Sequence, residues 1–350
     1  LKHYLFFLLG VVLLVGAAGV ATSTLSQSES APLDYKEPPL VVSSTLEQQT
    51  DMVLLEVDKA TLTATLKTWP ENPKDSKVLK SFKIAIGKSQ GDKQFEGDNK
   101  TPEGVYYTQK HIPGSTLPAK YGTIAIPIDF PNAIDRVQRK TGYGIWLHGV
   151  DREARIEEAN VTEGCVAFHN QDVLKLSAWL KPHQGVVVIA EDGKVINRPE
   201  DLKDVRELTE EWIAAWDNRD IDAYIKNYHP DFRYNHHNLK SYKSYKGRVF
   251  NSYSKMVVNL SDLRVVTHEK YAVTMFNQDF HGDDRFSSIG RKRLYWIKNE
   301  QGKWQIMSEI FENRRFEFMT FSDKELAALS DATINSTNLT KEKEIKASSL

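Results

Sequence analysis

The hydrophobic positions along this chain fall into distinct regimes. Lys2 and His3 precede an unbroken apolar run from Tyr4 to about Ala21, which polar Thr22, Ser23 and Thr24 close. A run that is apolar on all faces behind a basic start has the layout of an export leader at 1–21, or of a membrane anchor if it is retained. The stretch from Thr22 to Pro39 is rich in Ser, Pro and Glu and predicts a linker, extending to about 45, that buries no core. Alternation then sets in. Val53, Leu55 and Val57, followed after Asp58-Lys59-Ala60 by Leu62, Ala64 and Leu66, predict a hairpin, and Phe82, Ile84 and Ile86 a further strand. Residues 104–108, 144–148 and the continuous apolar run 186–190 add strands to a mostly β block that spans 46–198. One helix interrupts it: after Asn170, read as an N-cap, Val173, Leu176 and Leu180 share a face until Pro182 and Gly185 stop the turn.

The period changes at about Asp201. Val205, Leu208, Trp212 and Trp216 repeat with helical spacing, as do Ile221, Tyr224, Ile225 and Tyr228 after the break at Asn218-Arg219-Asp220. Alternating strands follow at 263–267, 271–280, 293–298 and 304–311, with Gly282 and Gly302 at tight turns. Helices followed by antiparallel strands predict an α+β domain over 201–322. The polar segment 330–350 lacks aromatics and predicts a disordered tail.

Composition narrows the function. With 350 residues, 40% apolar and 27% charged, the chain can build two domains with real cores, and its net charge of -1 argues against a nucleic-acid partner. A single cysteine, Cys165, closes no internal disulfide, so in an exported chain it is either inert filler or a nucleophile. The strand ending in Trp146-Leu147-His148-Gly149 sends Trp146 and His148 to one side. Thr162-Glu163-Gly164-Cys165 predicts a turn toward the helix near Asn170, in which backbone N–H groups can meet a thiolate or an oxyanion. His148 would supply the base and acid functions. Taken alone, the pair also fits a buried thiol and an unrelated histidine.

The wider pattern weighs on that choice. GDNKTPEGVY at 97–106, IDFPNAIDR at 128–136, GYGIWLHG at 142–149 and VTEGC at 161–165 together resemble the YkuD-type L,D-transpeptidase family over most of residues 50–190. The resemblance implies a β-sandwich-like domain whose cysteine and histidine share an open groove and act on the stem peptides of peptidoglycan. It assigns the nucleophile to Cys165, the base to His148, and the carbonyl that holds the other imidazole nitrogen to Gly149. Gly164 matches the glycine that leaves the approach to the substrate open, Thr162 a turn-stabilising Ser or Thr, and Asn170 and Asp172 the polar residues capping the next helix. Trp146, Thr162 and Gly164 are the expected lining of the substrate and oxyanion region. Many members carry Arg two residues after the cysteine, where this chain has Ala167. A substitute for gripping the substrate carboxylate is sought among Arg136, Arg139, Lys140, Arg152 and Arg155, with Arg136, Arg152 and Arg155 the first candidates.

The second block resembles the nuclear transport factor 2 like superfamily, a cone of helices wrapped by a bent sheet. That fold does not name a function. Its ligand or protein partner is not identified, and Tyr234, His236, His237, Tyr242 and Tyr245 are read as a surface cluster rather than a pocket. Arg291-Lys292-Arg293 is read as a solvated face. His229, His236, His237, His268 and His281 have no recurring ligand spacing, so neither metal nor cofactor is predicted. The domain order resembles L,D-carboxypeptidases that trim tetrapeptide stems and help set the shape of curved Gram-negative cells. It implies a periplasmic enzyme that removes the terminal D-alanine. A crosslinking or protein-attaching L,D-transpeptidase and a non-catalytic wall-binding scaffold are the alternatives.

Overall fold

The computed structural model describes residues 52–70, 75–283 and 285–313. The expected leader or anchor, the linker at 22–45, the end of the second block beyond 313 and the tail at 330–350 lie outside the described residues.

The first domain runs in the order β1 (Met52–Asp58), β2 (Thr63–Trp69), β3 (Val78–Gly87), β4 (Gly104–Tyr107), β5 (Ile112–Pro113), β6 (Ile124–Pro127), α1 (Ala133–Val137), β7 (Trp146–His148), β8 (Asn160–Thr162), β9 (Val166–Phe168), α2 (Asn170–Trp179) and β10 (Val186–Ala190). Among the described residues its ten strands form one curled sheet, in the order β4-β10-β1-β2-β3-β9-β7-β6-β5, with β8 also on β3. The predicted hairpin is the antiparallel β1–β2 pair, whereas β10 returns parallel to β1.

Strand β1 reads as nearly continuous apolar residues because both of its faces are covered. Val53, Leu55 and Val57 pack with Leu66, Phe82, Val187, Ile189 and the helix residues Val173 and Leu176 in the domain's own core. Met52 and Leu54 face the other way, with Val105, Tyr107, Val186 and Val188, onto Val266, Tyr271, Val273, Met275 and Tyr295 of the second domain. Burial on both faces is the condition that replaces alternation by an apolar run.

The second domain comprises α3 (Pro199–Asp217), α4 (Ile221–Lys226), β11 (Arg233–Tyr234), β12 (His237–Asn238), α5 (Leu239–Ser252), β13 (Met256–Thr267), β14 (Ala272–Gly282), β15 (Phe286–Lys298) and β16 (Trp304–Glu312). Strands β13 to β16 make an antiparallel sheet in chain order. Its concave side holds Val205, Trp212, Trp216, Tyr224, Tyr228, Tyr242 and Phe250 of the three helices and the α4 exit against Phe276, Leu294 and Trp296. Asp220 caps α4 by accepting the N–H groups of Asp222 and Ala223. Helix α5, which the apolar pattern does not announce, starts at an Asn238–Ser241 capping box. Its inner face carries Lys246 between Tyr242 and Phe250, and the lysine interrupts the apolar period.

The triplet Arg291-Lys292-Arg293 is not a solvated face. Strand alternation sends Lys292 into the cone, where its Nζ lies 3.2 Å from buried Glu309. Arg291 and Arg293 point to the domain seam, 2.8 and 2.6 Å from Glu312. Arg293 also lies over the Tyr107 ring at 4.3 Å. Burial turns three charges that read as surface into partners of specific carboxylates.

The seam also carries neutral polar contacts. The Tyr271 hydroxyl accepts the Val105 N–H at 2.6 Å and the Asn132 side-chain amide at 2.7 Å. Gly104, at φ +148, is glycine because a Cβ there would stand 2.4 Å from that hydroxyl. Replacing Tyr271 by Phe strands a buried N–H and is expected to destabilise the chain by about 1–3 kcal/mol. Tyr295→Phe is the control, because the Tyr295 hydroxyl is buried without a hydrogen-bond partner among the described residues. Its urea midpoint should stay level or rise while that of Tyr271→Phe falls.

Candidate active site

The site is built on the parallel pairing of β7 with β9, in which Leu147 faces Val166 and His148 faces Ala167. Residues paired across strands share a face, and neighbours along a strand alternate. Leu147 and Val166 therefore enter the core, while His148 and Cys165, which immediately precedes β9, emerge on the other side. They border a common groove of about 520 Å³ together with Lys88, Asn99, Lys120, Tyr121, Trp146, Arg155 and Thr162. The chain from Cys165 leads on to the helix, as the sequence suggested, though not directly. Strand β9 intervenes, and it is this strand that fixes the thiol beside the histidine.

His148 is held from behind. Its Nδ1 lies 2.5 Å from the carbonyl of Gly149. A carbonyl only accepts, so Nδ1 carries the proton and Nε2 is left with its lone pair, the form a general base requires. Burial pushes the imidazole down to about 4, against the pull of the Gly149 carbonyl, and the cations Arg155 and Lys120 add to the depression. The Tyr121 ring packs edge-on to His148 at 5.1 Å and against Trp146 at 4.8 Å, bracing both.

The thiol is neutral at rest. Its Sγ donates to the Gly144 carbonyl at 3.4 Å, and burial pushes it up to about 11. The backbone of Trp146 and the charges of Lys120 and Lys93 favour the thiolate without overcoming that burial. A neutral thiol beside a neutral imidazole calls for proton transfer during attack, not a standing ion pair.

The approach to Cys165 is set by backbone geometry. Thr162 Oγ1 donates to the Cys165 carbonyl at 2.7 Å and accepts the Gly164 N–H at 3.2 Å. Gly164 has φ +123, and a Cβ there would stand 2.7 Å from the Lys100 carbonyl. The conflict is thus with the GDNKTPEG segment, which supplies Gly97 and Asn99 to the groove wall. Burial opposes ionisation of Asp98, yet Lys93 and the N–H groups of Gln94, Lys100 and Phe95 hold its carboxyl down at about 2. Asp98 thus ties the 93–100 turn to itself through its side chain.

The candidate cations separate. Arg155 borders the groove, tied to Asp151 at 2.9 Å and to the Val161 carbonyl at 3.3 Å. Arg136 and Arg139 do not border it: they line another cavity, of about 760 Å³, with Arg233, Tyr234 and Glu309. Arg152 is exposed at the start of a 3-10 turn, away from the groove lining. Lys140 is buried between Asp92 and Asp135 at 2.8 and 2.9 Å, a structural role. Ala167 is fully buried in register with His148. Lys88, Lys120 and Tyr121 escaped the sequence reading because nothing marks a lone Lys or Tyr until the fold brings the end of β3 and the 119–121 turn to the groove.

Asn170 is not a helix cap. It is the first residue of α2, and its side chain accepts the Thr123 N–H at 3.0 Å and donates to the Val150 carbonyl at 2.7 Å. It thereby ties the strand exit that carries His148 to the helix. Asp172 pairs with Lys80 at 3.0 Å. In the second domain, Tyr242 is buried with its hydroxyl 2.5 Å from Glu309, His237 stacks on Tyr245, and His236 is exposed. Among the described residues no three His, Cys, Asp or Glu side chains are grouped to hold a metal ion.

Residues 54–189 match the family described as the L,D-transpeptidase catalytic domain, YkuD. Residues 204–310 match the Cds6 C-terminal NTF2-like domain. YafK of Escherichia coli (strain K12), a candidate L,D-transpeptidase by name, is 33% identical over 110 residues. That stretch covers 31% of this chain and 40% of the relative, so the chain matches less than half of the relative's length. Bd1075 of Bdellovibrio bacteriovorus superposes with a TM-score of 0.65 at 25% identity, over 77% of this chain and 95% of its own. The helical cell shape determining protein Pgp2 of Campylobacter jejuni gives 0.61 at 22% identity, over 75% of this chain and 96% of its own, a likeness of fold.

The resting thiol sets an expected outcome. Alkylation of Cys165 by iodoacetamide, followed by mass spectrometry, should be slow at neutral pH and climb toward pH 11, later than for an unperturbed cysteine. A plateau below pH 8 would mean that a thiolate–imidazolium pair already exists.

Proposed function

We propose that this chain, a YkuD-type L,D-transpeptidase catalytic domain followed by an NTF2-like domain, is a peptidoglycan L,D-carboxypeptidase that removes the terminal D-alanine from tetrapeptide stems. The observation that carries the chemistry is the emergence of His148 and Cys165 from paired strands into one groove, with the imidazole fixed by Gly149 in its basic tautomer. The support for hydrolysis is the order of the two domains, which resembles shape-determining L,D-carboxypeptidases.

In this reading Nε2 of His148 takes the thiol proton as Sγ attacks the carbonyl of the L-centre of diaminopimelate. Backbone N–H groups near the thiol meet the oxyanion of the tetrahedral intermediate. Collapse breaks the C–N bond, His148 returns the proton to the departing amine, and D-alanine leaves a thioester on Cys165. Water, deprotonated by His148, then attacks the thioester and releases the tripeptide with the thiol restored. Arg155, Lys120 and Lys88 are the groove cations suited to the substrate's carboxylates, in place of the arginine that Ala167 lacks. The substrate lies in the cell envelope, and the apolar stretch at 1–21 is proposed to deliver the chain to the periplasm, cleaved or kept as an anchor.

Transpeptidation is the second reading, since an amine in place of water accepts the same acyl group. Its support is the catalytic-domain family itself. A scaffold without chemistry has less support, because nothing about mere binding requires the imidazole to be oriented toward a thiol's face of the sheet.

Disaccharide tetrapeptide incubated with the purified chain should release D-alanine and tripeptide without dimer; dimer as the main product would assign transpeptidation. Cys165→Ala should abolish turnover. His148→Ala should lower kcat by roughly two to four powers of ten, the range for a positioned acid–base group. With His148 at about 4 and Cys165 at about 11, kcat/KM should stay level from pH 5 to 9 and fall only toward pH 4 as the base becomes protonated. An acid limb at 6.5 would show an imidazole open to water.

A further inference from the structure

We infer that Lys270, on the second domain, is a positioning residue for the groove wall formed by residues 88–103, acting through Asp92 and Glu103. Lys270 stands in the turn between β13 and β14 and is not among the groove-lining residues. Its Nζ lies 2.9 Å from Asp92 Oδ2 and 2.8 Å from Glu103 Oε2. These two acids are the feet of the wall. Asp92 Oδ1 accepts the Glu103 N–H at 2.9 Å, which closes the segment into a loop. Between the feet the chain carries Lys93, Glu96, Gly97 and Asn99 to the groove, and the Lys100 carbonyl to the position that Gly164 must leave open.

Each foot also has a lysine from its own domain. Lys140 binds Asp92 at 2.8 Å, and Lys59 binds Glu103 at 2.8 Å. Lys270 differs because it is the cation that bridges both carboxylates, and it does so from the other domain. Lys140 also binds Asp135 at 2.9 Å and Lys59 also binds Glu191 at 3.0 Å, so without Lys270 the two nearly buried feet share their remaining lysines with other carboxylates and have no charge between them. Removing that cation favours opening the loop toward water, where the acids recover solvation. The loop is then free to leave Gly164, and the groove loses its shape while the thiol and imidazole, fixed by β7 and β9, stay in register. The second domain thus takes part in substrate binding without touching substrate, and this holds whichever bond the groove cleaves.

The test compares the full chain with Lys270→Met, which keeps length and loses charge, and with Lys270→Arg, which keeps charge. Backbone hydrogen exchange of residues 88–103 should quicken by about tenfold in Lys270→Met, as expected for a local opening, while amides of β9, β14 and β15 keep their protection. Lys270→Arg should restore the protection. With disaccharide tetrapeptide, Lys270→Met should raise KM more than it lowers kcat. Unchanged exchange at 88–103 in Lys270→Met would overturn the inference. So would an equal rise across both domains, or loss of the fold, since the lysine would then hold the domain pair together rather than the wall. Should the unaltered chain release no D-alanine, the proposed reaction fails, and the exchange comparison still decides the role of Lys270.

Discussion

Two backbone pairings, Leu147 with Val166 and His148 with Ala167, govern the chemistry of this molecule. A strand slip of one residue would exchange the faces, sending the imidazole into the core and Leu147 into the groove. The surrounding structure defends the register with apolar residues on the buried side and with the Asn170 side chain, which binds both the 122–123 turn and the strand exit at Val150. Neither strand is long, so their alignment comes from the sheet around them.

Burial then decides the protonation states. Both reactive groups are largely closed off from water, which drives the imidazole and the thiol toward their neutral forms. The cations of the groove reinforce burial at the imidazole and oppose it, without overcoming it, at the thiol. A site so arranged keeps its thiol neutral at rest, as the proposed reaction requires.

Much of this was legible in the sequence. Alternation located β1, β2 and β3, helical spacing located α3 and α4, and the motifs around Cys165 and His148 pointed to the groove. What escaped has a common cause, because each missed feature depends on contact between segments distant in the chain. The run Arg291-Lys292-Arg293 reads as solvated by composition, and only the covering of both sheet faces turns it inward. Arg136 and Arg155 look alike as arginines near motifs, yet Arg155, in the 3-10 turn after β7, reaches the groove while Arg136, on α1, lines a separate cavity. Helix α5 hides because Lys246 occupies its inner face, over the Trp216 ring at 4.8 Å, where burial pushes its ammonium down to about 7.

The double covering of β1, β4 and β10 bears on how the polypeptide can be divided. Met52, Leu54, Val105, Tyr107, Val186 and Val188 would lie bare on a catalytic half made without its neighbour, a contiguous apolar plane over the three strands at one edge of the sheet. Exposed apolar surface of that kind is an aggregation liability. The join between the halves is a shared interior, and the smallest unit that folds cleanly includes both.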